Sequence, residues 1–140
     1  MTATTTAPFL RQEDQDDVHS PPFEEVLLKA AGTTREKAAI RALVDEKQIL
    51  ARPAFRRALV WETDDGMSFS FSWQNLAGYL YGLQLNDAER GFVDLILSIA
   101  SPHQTTLTRV MDLDERRLAI ILRAVISLSG VDTLAVGTRL

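Results

Sequence analysis

The chain has 140 residues, 46% of them hydrophobic, a formal net charge of −4 and no cysteine. That is the size of one domain around one core, able to bury roughly two-thirds of its unfolded surface. The missing thiols exclude disulfides, thiolate catalysis and cysteine-ligated zinc or iron-sulfur centres.

The most apolar stretch, Leu118 to Ile126, is interrupted by Arg123 and falls short of the roughly 20 residues that span a bilayer. The opening MTATTTAPFLRQEDQ carries no basic segment followed by an apolar run, so no secretory signal is read there. A soluble, cytoplasmic protein without a membrane role is expected. Charge is unevenly placed: Arg11 faces Glu13, Asp14, Asp16, Asp17, Glu24 and Glu25 within one short stretch, and the rest is close to neutral. Such a balance lacks the positive face whose counterion release drives nucleic-acid affinity. Among the 15 basic residues arginine dominates, a bias of GC-rich genomes that points to a bacterial source.

Residues 1–21, with their threonines, acidic run and Ser20-Pro21-Pro22, read as a disordered acidic tail, and 22–140 as a single globular domain. Within that domain, 22–52 reads as helices. Phe23 to Ala31 forms a first one, closed by a left-handed Gly32. Thr33-Thr34-Arg35-Glu36 is a capping box opening a second. Its stripe of Ile40, Leu43, Val44 and Leu50 leaves Arg41, Asp45, Glu46 and Lys47 largely on the other side, and Pro53 ends it.

Residues 55–73 read as a hairpin, with strands at about 56–63 and 67–73. Met67, Phe69, Phe71 and Trp73 alternate with serines, the pattern of a half-buried strand. A three-residue loop, Asp64-Asp65-Gly66, pairs Trp61 with Phe69 and Leu59 with Phe71, gathering the large groups on one face. A two-residue loop would set Trp61 against Ser70 instead.

Residues 74–140 read as a helical core. Gln74 to Tyr81 is a short helix ended by Gly82. Asn86 opens a longer one, Asp87 to Ala100, apolar around much of its girth and stopped by Ser101-Pro102. The segment from Gln104 to Arg123 then spaces Leu107, Met111, Leu113, Leu118 and Ile121 as buried positions. With helices at about 87–100, 104–111 and 115–129, this C-terminal part resembles the three-helix core of the helix-turn-helix superfamily, including its winged members. Leu107 and Met111 match the buried side of the second helix, Asp112-Leu113 the turn, Asp114 an N-cap, and Leu118, Ile121 and Leu122 the buried side of the third. The tail VDTLAVGTRL matches a wing strand.

The resemblance implies DNA contact from the outer face of the third helix, and Arg109, Arg116, Arg117 and Arg123 are the residues that would make it. That face also carries Asp114 and Glu115, which repel phosphate, and Ala119 and Ile120, which read no base. Thr108 and Asp112 depart from the small residue and glycine the superfamily favours.

Other chemistry is sparse. His19 and His103 lack a second histidine at ligand spacing, so no metal or cofactor is expected. Ser68, Ser70 and Ser72 have no neighbouring base, and no glycine loop cradles a phosphate. The fold expected is mainly α (α+β), with one hairpin and a helix-turn-helix-like core. The function expected is a non-enzymatic bacterial regulatory protein acting through protein contacts at Arg116, Ala119, Ile120 and Arg123, as a homodimer with a further protein partner. A DNA-binding transcriptional regulator is the alternative. A small-molecule-binding module with a pocket of Trp61, Trp73, Tyr79 and Tyr81 is the second.

Overall fold

The computed structural model describes residues 23–62 and 69–139. The acidic tail and the hairpin loop with Asp64, Asp65, Gly66 and Met67 lie outside them. The chain is mainly helical with one two-stranded antiparallel sheet: α1 Phe23–Ala30, α2 Thr34–Glu46, α3 Pro53–Leu59, β1 Val60–Glu62, β2 Phe69–Phe71, α4 Trp73–Tyr79, a 3-10 turn Leu80–Leu83, α5 Asp87–Ala100, a 3-10 helix Leu107–Asp112 and α6 Glu115–Ser129.

Helices α2, α5 and α6 pack on one another and form the core. Ile40 and Leu43 of α2, Phe92, Val93 and Ile96 of α5, and Ile120, Ile121 and Ala124 of α6 are buried. Each large side chain so removed from water contributes about 1.5–3 kcal/mol. The core therefore recruits an N-terminal helix as its third member. The expected second helix at 104–111 is instead the short 3-10 helix, with Leu107 79% and Met111 82% exposed and Val110 and Leu113 half-buried against the core. It lies so close to α5 that a Cβ on Gly91 would come within 3.3 Å of the Arg109 carbonyl oxygen. No strand occurs in 131–139, where a wing was expected.

Helix starts follow the sequence signals. Thr33 Oγ1 accepts from the Glu36 N–H at 3.1 Å, and Asn86 with Glu89 forms a complete capping box. Glu36 does not return to Thr33; its carboxylate accepts from the Gly32 N–H and from Trp73 Nε1, both at 3.1 Å. At the far end of α5, Arg35 donates to the carbonyls of Ser98, Ile99 and Ser101, satisfying acceptors that a helix C-terminus leaves open.

Helix ends depart from expectation. Gly130 has the one positive φ among the described glycines, so Gly32 is not left-handed, and Gln84 rather than Gly82 takes that conformation after α4 and its 3-10 turn. Helix α2 stops at Glu46 because Lys47, at φ 71 and ψ −43, reverses the chain in a γ-turn closed by Gln48 N–H to Glu46 O at 2.9 Å. Pro53 then starts α3 at its first turn, where a missing N–H costs nothing.

Residues 53–59 form that helix, not a strand, since Phe55, Ala58 and Leu59 are spaced to share one buried helical face. This displaces the hairpin. With Leu59 spent in α3, Val60 becomes the first strand residue and pairs with Phe71, while Trp61 lies opposite Ser70 and Glu62 opposite Phe69. The three-residue-loop register is thus overturned. A slip of one residue exchanges faces, and Trp61 is left 60% exposed.

Candidate protein-interaction surface

Helix α6 carries most of the residues singled out above. Asp114 stands at its N-cap without capping a backbone N–H; its carboxylate accepts from Arg117 Nη1 at 3.1 Å instead. Gly130, at φ 81, closes the helix and turns the chain back along it. Leu134, Ala135 and Val136 share a groove of about 310 Å³ with Arg123, Ile126 and Ser127. Further on, Val136 to Arg139 share one of about 340 Å³ with Glu115, Leu118, Ala119 and Leu122. A wider groove of about 610 Å³ opens between Asp45, Thr138 and the residues Glu115, Arg116, Ala119 and Arg123 of the helix. Residues 131–139 therefore run antiparallel to α6.

Helix α6 is apolar on both sides. Arg117, Ile120, Ile121 and Ala124 face the core, whereas Leu122 (43%) and Val125 (48%) are exposed and Leu118, Ala119 and Ile126 half-buried. This corrects the placement of two residues: Ile120, expected on the surface, is only 4% exposed, and Leu122, expected inside, faces outward. Ala119 and Arg123 keep the outward positions expected of them.

The arginines proposed for DNA contact have separate fates. Arg117 is buried and bonds Glu46 Oε2, Gln48 Oε1 and Asp114 Oδ1. Arg116 donates through Nη2 to the carbonyl of Asp45 at 3.0 Å and to that of Glu46. Arg109 donates from Nε to Asp94 Oδ2 at 3.0 Å. Arg123 is exposed and has no ion pair among the described residues. The aromatic residues do not converge either. Trp73 is in the core at 7% exposure, Trp61 stands on the outer face of the hairpin, Tyr79 is exposed, and exposed Tyr81 has the Arg90 guanidinium 5.0 Å over its ring.

Two polar clusters escaped the sequence reading. Glu46, expected on the solvent side of α2, is fully buried: Oε1 accepts from the Ile49 N–H at 2.7 Å and Oε2 lies 2.9 Å from Arg117 Nη2. Buried Glu89 of α5 pairs with Arg52 and lies 3.9 Å from Arg117. Desolvation pulls the Arg117 pKa down, but the hydrogen bonds and charges of Glu46 and Asp114 together outweigh it, so its guanidinium is held more firmly protonated than usual. The available signal was Glu46 three residues beyond Leu43, on the apolar stripe itself.

The second cluster is centred on Asp94 in the middle of α5. It accepts from Thr105 Oγ1 and Arg109 Nε, and its Oδ1 lies 2.6 Å from His103 Nε2. Burial pushes the Asp94 carboxyl up, yet the hydrogen bonds of Thr105, His103 and Arg109 together hold it below the ordinary carboxylate value. Arg109 is raised in turn, first by its bond to Asp94. The cluster ties the segment after α5 back onto that helix. Among the described residues no group of histidines and carboxylates is arranged to hold a metal ion, and no described helix is long and apolar enough to cross a membrane.

No family model, curated protein or solved structure matches this chain.

Proposed function

We propose that this chain is a non-enzymatic bacterial regulatory protein that works by protein contact, through the outer face of α6, and assembles there as a homodimer. One observation carries the reading: Leu118, Leu122 and Val125 form an apolar stripe on the side of α6 turned away from its own core. A helix apolar around its circumference is ordinarily covered on both sides. The helix-turn-helix-like scaffold of this reading rests on the order of α5, the short 3-10 helix and α6 alone, since Leu107 and Met111 are turned outward. DNA binding is the weaker reading, because Arg109, Arg116 and Arg117 spend donors on internal acceptors, leaving Arg123 as the uncommitted candidate.

Sedimentation over a range of concentrations tests the proposal. The native chain is expected to dimerise, and Leu122→Arg to remain monomeric with an unchanged circular dichroism spectrum. A native chain that stays monomeric throughout overturns the homodimer.

A further inference from the structure

Resting on the reading of α6 as the docking face, we infer that residues 131–139 are a displaceable strap over that face, competing with a second copy of the chain for the same ridge. The ridge is Glu115, Ala119 and Arg123, spaced i, i+4, i+8, with opposite charges at its ends and a small residue between them. A second copy laid antiparallel across Ala119 sets Glu115 of each copy against Arg123 of the other. That is the self-complementarity a two-fold interface requires, with i±4 ridges entering grooves. The strap already stands there: Val136 and Thr138 share their grooves with Glu115, Ala119 and Arg123, and Ala119, though turned from the core, is half-buried. Strap and second copy cannot occupy the ridge together.

The strap is weakly held. Among the described residues its backbone makes one hydrogen bond, from the Val131 N–H to Ser129 Oγ at 3.1 Å, and none from 132 onward. Val136 alone is half-buried, and Leu134 is 63% exposed. An extended segment that joins no sheet and buries little apolar surface lies at the low end of local stability. Lifting it uncovers the ridge without disturbing the core.

The chain lacks cysteine, so Ala119→Cys supplies a single reporter thiol. Its rate of modification by an uncharged maleimide is measured in the full chain, alone and combined with Val136→Asp or, separately, Leu134→Asp, at concentrations where the protein is monomeric. Both strap substitutions are expected to raise the rate several-fold, and Val136→Asp without the cysteine to tighten self-association several-fold in sedimentation. Labelling in both strap variants no faster than in Ala119→Cys alone overturns the strap. Faster labelling with an unchanged dissociation constant overturns its competition with a second copy. Faster labelling in a chain monomeric at every concentration upholds the cover and overturns the homodimer reading, and with it the competition.

Discussion

Glu46 and Arg117, 71 positions apart in the chain, meet inside the fold with Arg117 Nε donating to Glu46 Oε2 at 3.0 Å. The bond joins the C-terminal end of α2 to the first turn of α6, where both pack against α5. Arg116 reinforces the junction by reaching the carbonyl at which α2 ends.

Removing one member of this pair leaves the other buried and uncompensated, so Arg117→Ala is expected to lower stability by about 3–5 kcal/mol. Glu46→Ala should cost a similar amount, since it also strips the Ile49 N–H of its acceptor. In a double-mutant cycle by urea unfolding, the two losses should be strongly non-additive. Simple additivity would show that the pair is not coupled.

Asp94 predicts an acid limb. Its carboxyl is held below the ordinary value of about 3.9, because the hydrogen bonds it accepts outweigh the effect of burial. The unfolded chain then takes up the proton more readily than the folded one. The stability Asp94 contributes is complete above about pH 3.9 and is lost as pH falls through the lower folded value. Asp94→Asn should flatten that limb in thermal melts taken from neutral to acidic pH, and at neutral pH cost about 1–3 kcal/mol by weakening charge-assisted bonds. A limb of unchanged steepness would place its origin elsewhere.

Lys47 occupies a backbone conformation that side chains rarely adopt, at φ 71 and ψ −43. Glycine enters it without steric cost but loses more freedom on folding. Strain of this kind is of order 1–3 kcal/mol, so Lys47→Gly should stabilise the protein by about 1 kcal/mol, read from the shift in denaturant midpoint. Destabilisation would mean that the lysine side chain contributes more than the strain it causes.

The two tryptophans should respond differently to solvent. Trp61 is 60% exposed and Trp73 is 7% exposed, its indole N–H held by Glu36. Iodide should quench Trp61 and spare Trp73, so Trp61→Phe should leave a blue-shifted, weakly quenched emission. Strong quenching in that variant would contradict the burial of Trp73 in the core.

Element types and many starts were legible locally. The Asn86 box, the apolar girth of α5, the hydroxyl of Thr33 and the limits of α6 all depend on residues within a turn or two of one another. The faces of α6 were not: because its residues are apolar on most sides, sequence spacing alone could not choose between Ile120 and Leu122 for the interior. The hairpin slipped for a related reason. Leu59 suits a strand or a helix equally, and only the packing of Phe55 and Ala58 beside it gave it to α3.

By itself the amino-acid order determined a mainly helical chain with one hairpin, the extents of α5 and α6, and the absence of thiol chemistry, since propensity, capping and composition act over short range. The tertiary structure decided which helix completed the core, that α2 rather than residues 107–112 fills that place, and that Glu46, Asp94, Glu89 and Arg117 are internal. Burying a charge is tolerable only when partners distant in the chain arrive with it. Such partners are brought together by packing, which no local pattern records.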